Sequence, residues 1–227
     1  HSIEDPEAYW SSQANCLRWT TFPRQISDVS FDKADFRIRW YADGELNVSD
    51  NCLDRHLETH PDKPAIIWEG DHPAEHKIIS FRELHAETCR AANALIALGI
   101  RSGDRVAIYM PMIPEAAIAM LACTRIGAIH TVVFGGFSPE SLASRIADCT
   151  PKLVITADEG IRGGKTIPLK TNVDLALQQP GTECVQHTLV VRRTGGQIDW
   201  QHNRDRWDHE LLTEVDDHCP ALPMAAE

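Results

Sequence analysis

Arg105-Val106-Ala107-Ile108-Tyr109 is a short apolar run without alternation, and shortly after it Pro114 opens a helical stretch that lasts to Ile126. The same pattern then repeats. Ala128 to Phe134 reads as a strand, Ser138 to Cys149 as a helix, Lys152 to Thr156 as a strand, Leu169 to Gln178 as a helix, and His187 to Val191 as a strand. Continuously apolar strands of this length are those covered on both faces, as in a parallel sheet. Pro114 suits the first turn of its helix. Ser138-Pro139-Glu140 supplies a cap, a first-turn proline and an early acid. Strand–helix units at this spacing predict an α/β fold: an open, doubly wound, mostly parallel sheet flanked by helices.

Upstream, Ser80-Phe81-Arg82-Glu83 is a capping box that starts a helix carrying Leu84, Thr88, Ala91, Leu95 and Leu98 on one face and ending at Gly99. Ala65 to Trp68 and Lys77 to Ile79 read as two short strands. Ser49-Asp50 opens an amphipathic helix through Cys52, Leu53, His56 and Leu57, stopped by Pro61. Residues 1–48 show no sustained period and read as an irregular arm, with one helix near Pro6 to Cys16. The expected division is therefore an arm over 1–48, an α/β subdomain over 49–215, and a Pro/Ala-rich acidic linker over 216–227.

The 227 residues are 43% apolar and 24% charged, enough for a real core. With 22 basic against 33 acidic side chains, the net charge of −11 argues against nucleic acid or an anionic membrane as partner. The charge is uneven. From Asp199 to Glu227 there are eight carboxylates and two arginines, whereas Pro151 to Lys170 holds four basic and two acidic residues, a basic island. The seven dispersed cysteines contain no C-x-x-C and fit a reducing, cytoplasmic setting. The first ten residues contain no apolar signal core, and the apolar run from Ile113 to Phe134 is interrupted by Glu115, Arg125 and His130, which excludes a membrane span there. The lack of an initial Met and the linker-like end read as a piece of a longer chain.

Two segments could carry binding chemistry. Phe134-Gly135-Gly136-Phe137-Ser138 joins a strand end to a helix start, where ligands of such sheets sit and where a helix N-terminus offers amides to an anion. A tight turn requiring positive φ would read the same way. Gly160-Ile161-Arg162-Gly163-Gly164-Lys165-Thr166 is not a Walker loop, because that motif needs glycine where Glu159 stands. Arg162 and Lys165 flank two glycines just past a strand, which suits either a phosphate grip or a solvated loop. His56 and His60 stand four apart without a third ligand, and His202, His209 and His218 lie among acids in a polar region. Neither set predicts a metal centre. Trp10, Trp19, Trp40 and Trp68 read as packing of the arm. No catalytic residue emerges.

Several segments together resemble one family: Asn51 to His56, Ala65-Ile66-Ile67-Trp68-Glu69-Gly70-Asp71, Ala107 to Met112, Pro114 to Ala117, Val133 to Glu140, Ile155 to Gly160, and Ile167 to Lys170. Their order is similar to the N-terminal part of the AMP-forming acetyl-coenzyme A synthetases, in the adenylate-forming superfamily. The resemblance spans about Trp10 to Trp207. It implies a ligase that joins acetate to ATP as acetyl-AMP, with magnesium, and then passes the acetyl group to CoA. It places Arg162, Gly163, Gly164 and Lys165 on the CoA-binding stretch, with Arg162 toward the 3′-phosphate. It places Phe134, Gly135 and Gly136 along the CoA adenine and pantetheine path. Lys165 stands where many members have Arg, and so offers a point charge in place of a fork.

The family's Ser/Thr/Gly phosphate loop, acyl pocket, ribose-binding Asp, magnesium site and adenylating Lys have no counterpart in these residues. The implied partners are thus acetate, ATP, CoA and the remainder of the same polypeptide, and the chain alone is expected to be inactive. A propionate–CoA ligase and a stand-alone, non-catalytic CoA- or nucleotide-binding module are the alternatives.

Overall fold

Ser80 begins its helix as its side chain requires: Ser80 Oγ accepts the Glu83 amide at 3.3 Å, and Glu83 Oε2 accepts the Ser80 amide at 2.8 Å. At the far end Gly99 takes φ +83°, a left-handed conformation that glycine adopts without Cβ strain. These and the other boundaries come from a computed structural model that describes residues 1–227. The arm contains α1 (Pro6–Ala14), an antiparallel pair β1 (Ser27–Ser30) and β2 (Arg37–Trp40), and β3 (Glu45–Leu46). Then follow α2 (Arg55–Leu57), the pair β4 (Pro64–Glu69) and β5 (His76–Ser80), and α3 (Phe81–Ala97). The α/β part runs β6 (Arg105–Met110), α4 (Pro114–Arg125), β7 (Ile129–Phe134), α5 (Pro139–Cys149), β8 (Leu153–Ala157), β9 (Gly160–Arg162), β10 (Lys165–Ile167), α6 (Leu169–Ala176), β11 (His187–Val191), β12 (Asp205–Trp207), α7 (Asp208–Leu211) and β13 (Met224–Ala225).

The central sheet has the order β12-β11-β8-β6-β7, and all four neighbouring pairs are parallel. The first two of these strands in the chain, β6 and β7, run outward to one edge. The chain then crosses back over β6 to β8 and winds the other way. The crossovers run to opposite edges, and the right-handed rule for such connections places α4 on one face and α5 and α6, which pack against each other, on the opposite one. The winding reverses between β6 and β8, and the crevice outside their carboxyl ends is where such sheets hold ligands. The core lies on both faces: Val106, Ile108, Val154 and Val190 are fully buried, as are Ala122, Cys123, Leu142 and Ile146 from the helices. The fold class is the one expected from the apolar runs.

Several details differ from the expectation. The helix from Ser49 begins with a wider π-type turn over Asp50–Asp54 before its α-helical turn. Strand β7 is an edge, so Ile129 and Val132 are more than half exposed despite an apolar run like those of its neighbours. Strand β12 is a fifth parallel strand with only Asp-Arg-Trp to announce it, and it forms because Asp205 ties it to α6, as described below. Residues 216–227, read as a loose linker, are packed. Leu222 donates its amide to Arg125 O at 2.8 Å, Asn93 Nδ2 bonds Asp216 O and His218 O, Cys219 is buried, and β13 pairs with β3. Pro and Ala content describes backbone preference; it is silent about free backbone partners on a neighbouring helix.

The arm tryptophans pack as expected, Trp10 on Trp40 at 5.6 Å and Trp19 on Tyr41 at 5.5 Å. Trp68 does not join them.

Candidate functional site

At the reversal point, a cleft of about 370 Å3 is lined by Trp68, Gly70, Asp71, Met110 to Ile113, Phe134 to Gly136, Gly160 to Arg162 and Arg193. Phe134, Gly135, Gly136 and Arg162 therefore share one wall system, although two different crossovers deliver them. Gly163 and Gly164 lie just outside, bordering an adjoining hollow with Asp71, His72 and Glu75. Lys165 faces Arg162 across the ladder of its hairpin and is exposed.

The two glycine pairs meet different needs. At Gly135 an added Cβ would lie 2.9 Å from the Met110 carbonyl oxygen, and at Gly136 one would lie 2.5 Å from the Phe134 ring. Neither has positive φ. At Gly135 close backbone approach, not turn geometry, demands glycine, whereas Gly136 leaves room for the Phe134 ring. Gly163 and Gly164 have φ +57° and +71° with open space around them, the two-residue turn of a β9–β10 hairpin. The stretch read as a loop is this hairpin.

The Phe134–Phe137 turn is held from below. The buried Tyr109 hydroxyl donates to Phe137 O at 2.7 Å and accepts from Asn172 Nδ2 at 3.1 Å. Ser138 caps α5 by accepting the Ser141 amide. The Arg162 guanidinium lies 5.0 Å from the centre of the Phe134 ring, a cation–π contact. Neither Arg162 nor Lys165 joins any of the chain's ion pairs; Arg162 lies at the rim of the cleft, and Lys165 is exposed beside it on the hairpin.

The opposite wall was not foreseen. Trp68 on β4 donates its indole N–H to Met112 O at 2.7 Å, and Arg193 lies over its ring at 5.3 Å. Arg193 also makes a two-pronged ion pair with Glu75, and that pairing holds the Glu75 carboxyl below its usual range. The loop carrying Arg193 is folded around the buried Asp158 carboxylate, which accepts amides from Glu159, Arg193, Thr194 and Gly195. Asp71 accepts the amides of Gly163 and Gly164 at 2.9 and 2.6 Å, and those bonds lower its pKa, that of Gly164 most. No periodicity marks these residues. Their only signal was that Trp68 to Asp71 and Asp158 stood inside the segments that resemble the family.

The chemistry available is recognition. An unpaired Arg162 at the rim, with Lys165 opposite it on the hairpin, suits a phosphorylated ligand, and the apolar, glycine-lined trough beneath suits a flat or chain-like body. No three His, Cys, Asp or Glu side chains converge to hold a metal, and His202, His209 and His218 are exposed. A larger cleft of about 630 Å3 lies over the middle of the sheet, floored by Ile155, Leu189 and Val191, and contains none of the candidate residues. At its edge burial pushes the Asp208 carboxyl up to about 7, with Glu115 and Glu87 adding to the effect.

Comparison with known proteins decides the family. Residues 53–223 match the family described as AMP-binding enzyme, and residues 1–52 match the acetyl-coenzyme A synthetase N-terminus. The chain belongs to the AMP-binding enzyme family. Among its relatives are proteins named acetyl-coenzyme A synthetase from Psychrobacter cryohalolentis, 58% identical over 229 residues, and from Vibrio cholerae, 54% identical over 226 residues. The protein of that name from Escherichia coli K12 is 53% identical over 226 residues. Each alignment covers 100% of this chain and 35% of the relative, so the chain spans about a third of their length. The boundary between the two family matches falls in the turn of helix around Asp50–Asp54, close to the end of the arm. No helix is long and apolar enough to cross a membrane.

Proposed function

We propose that this chain is the CoA-facing, N-terminal part of an AMP-forming acetate–CoA ligase. The observation that carries the reading is the rim of the cleft: Arg162 lies unpaired over Phe134 beside Gly135 and Gly136. The 53–58% identity over the whole chain to acetyl-coenzyme A synthetases supports it. In the whole ligase an acetate oxygen attacks the α-phosphorus of ATP, expelling pyrophosphate and leaving acetyl-AMP. The CoA thiolate then attacks the acetyl carbon, and AMP departs with the bonding electrons. The residues here carry neither bond change. Arg162 and Lys165 hold the 3′-phosphate end of CoA, and the trough along Phe134, Gly135 and Gly136 guides the adenine and pantetheine. ATP, acetate and the chemical steps fall to the remainder of the polypeptide. Magnesium, which such a ligase uses with ATP, likewise falls to the remainder of the polypeptide, and no step here is assigned to it. Seven free cysteines, three of them buried, suit a reducing cytoplasm.

The test uses the full-length ligase. Arg162→Ala is expected to weaken CoA binding by about tenfold or more, as loss of a hydrogen bond to a charged group predicts. Acetate-dependent exchange of pyrophosphate into ATP, which needs no CoA, is expected to persist. Equal loss in both half-reactions contradicts the assignment.

A further inference from the structure

The β9–β10 hairpin is a poor support for a binding residue. It has two strands of three residues each, and isolated two-stranded hairpins are marginal in water. Its turn is a glycine pair, the most costly kind of backbone to order, and nothing lies within 4 Å of where a Cβ would sit on either glycine. Packing does not hold the tip. What does hold it is a residue distant in sequence. Asp71, in the turn between β4 and β5, takes the Gly163 amide on one carboxylate oxygen and the Gly164 amide on the other. Such charge-assisted bonds are about twice as strong as neutral ones.

The turn that carries Asp71 is itself anchored. Gly70 donates its amide to Glu75 O at 2.7 Å, Glu75 is clamped by Arg193, and the Arg193 loop wraps the buried Asp158. A continuous set of contacts thus runs from the carboxyl end of β8, through the β4–β5 turn, to the hairpin tip. The same contact decides how an anion is recognised. Two adjacent amides in left-handed conformation form a concavity that attracts anions. Asp71 already fills it, so a ligand phosphate meets the side chains of Arg162 and Lys165 rather than the backbone.

We infer that Asp71 is a positioning residue for ligand recognition: its carboxylate clasps the Gly163–Gly164 turn and so fixes Arg162 over Phe134 at the rim of the cleft. The inference rests on the CoA reading of this site, and its test separates the two. Asp71 is exposed, so its replacement removes no packing. In the 227-residue chain, Asp71→Ala is expected to shift the Gly163 and Gly164 amide resonances and raise their hydrogen-exchange rates, with the core amides unchanged. In the full-length ligase it is expected to raise the KM for CoA about tenfold while kcat at saturating CoA is kept, a misplaced contact losing about as much as one hydrogen bond to a charged group. Asp71→Asn, which keeps one acceptor oxygen, is expected to restore part of both. Unchanged glycine amides overturn the clasp. Altered amides with an unchanged KM for CoA, where Arg162→Ala does raise it, overturn the positioning role and leave the CoA reading standing. An unchanged KM in Arg162→Ala overturns the CoA reading, and with it the role given to Asp71 in recognition.

Discussion

Arg162 lies over the ring of Phe134, 5.0 Å from its centre, although one residue ends an edge strand and the other begins the turn of a separate hairpin. The contact joins the cation at the rim to the wall of the trough, so a ligand touching one feels the other. Phe134→Leu keeps an apolar wall but removes the π-face. Isothermal titration of CoA into the full-length protein is expected to show binding weakened by about twofold to fivefold, the worth of an exposed cation–π contact.

Gly135 is the tightest backbone approach in the site. Gly135→Ala places a methyl against the Met110 carbonyl, which is backbone and cannot rotate away. Overpacking of this kind costs roughly 1–3 kcal/mol. Urea unfolding of the chain should show that loss. A variant as stable as the parent would show that the turn relaxes freely.

The buried Lys170 ammonium pairs with Asp174 at 2.8 Å and with the fully buried Asp205 at 2.9 Å, and Arg204 pairs with both acids. This network fastens β12 to α6. Lys170→Met leaves buried carboxylates short of a cation and is expected to destabilise the fold by about 3–5 kcal/mol, with exchange of the β12 amides increased first. Chemical denaturation with hydrogen exchange measures both.

A second buried cluster sets a pH dependence. Asp54 meets Arg125 at 2.7 Å and His85 at 3.2 Å, joining the segment after the arm to α3 and α4. The bond to Asp54, then that to Cys89, raises the His85 pKa from 6.5 to about 9. Burial alone would raise the Asp54 carboxyl, but its bonds to Arg125 and His85 outweigh that and hold it far below the usual range. For His85 the folded state binds the proton more tightly than the unfolded one. Its stabilisation is full below pH 6.5 and disappears as pH rises through about 9. Asp208, with a folded pKa raised to about 7, adds a loss of the same sign at lower pH. The urea midpoint is therefore expected to fall between pH 7 and 9.5, and His85→Leu is expected to flatten that slope.

The sheet was legible because its information is local: apolar runs such as Leu153 to Ala157 and caps such as Ser80 and Ser138 act within a few residues. Strand β12 was not, because Asp205-Arg206-Trp207 owes its place to Lys170, a partner far away in the chain. The packed end at 216–227 escaped for the same reason, since Arg125 O and Asn93 supply its hydrogen bonds.

Within the site, Arg162, Gly163, Gly164 and Lys165 stood out as cations flanking glycines, and Gly135 and Gly136 as a pair at a strand end. The positive-φ turn weighed as the alternative for the second pair is absent, and close approach to the Met110 carbonyl is the reason at Gly135. Trp68, Asp71 and Arg193 had no local signal, because such a Trp, Asp and Arg acquire meaning only when the β4–β5 hairpin and the loop after β11 converge on one cleft.

The central claim is that Arg162 holds the 3′-phosphate of CoA. Calorimetric titration of the full-length protein with CoA and with 3′-dephospho-CoA, for the parent and for Arg162→Ala, tests it most directly. The parent is expected to prefer CoA by about tenfold or more, the fold-change for one charged hydrogen bond, and Arg162→Ala to lose most of that preference, with Lys165 keeping the rest. A variant that keeps the parent's full preference for the 3′-phosphate would contradict the account.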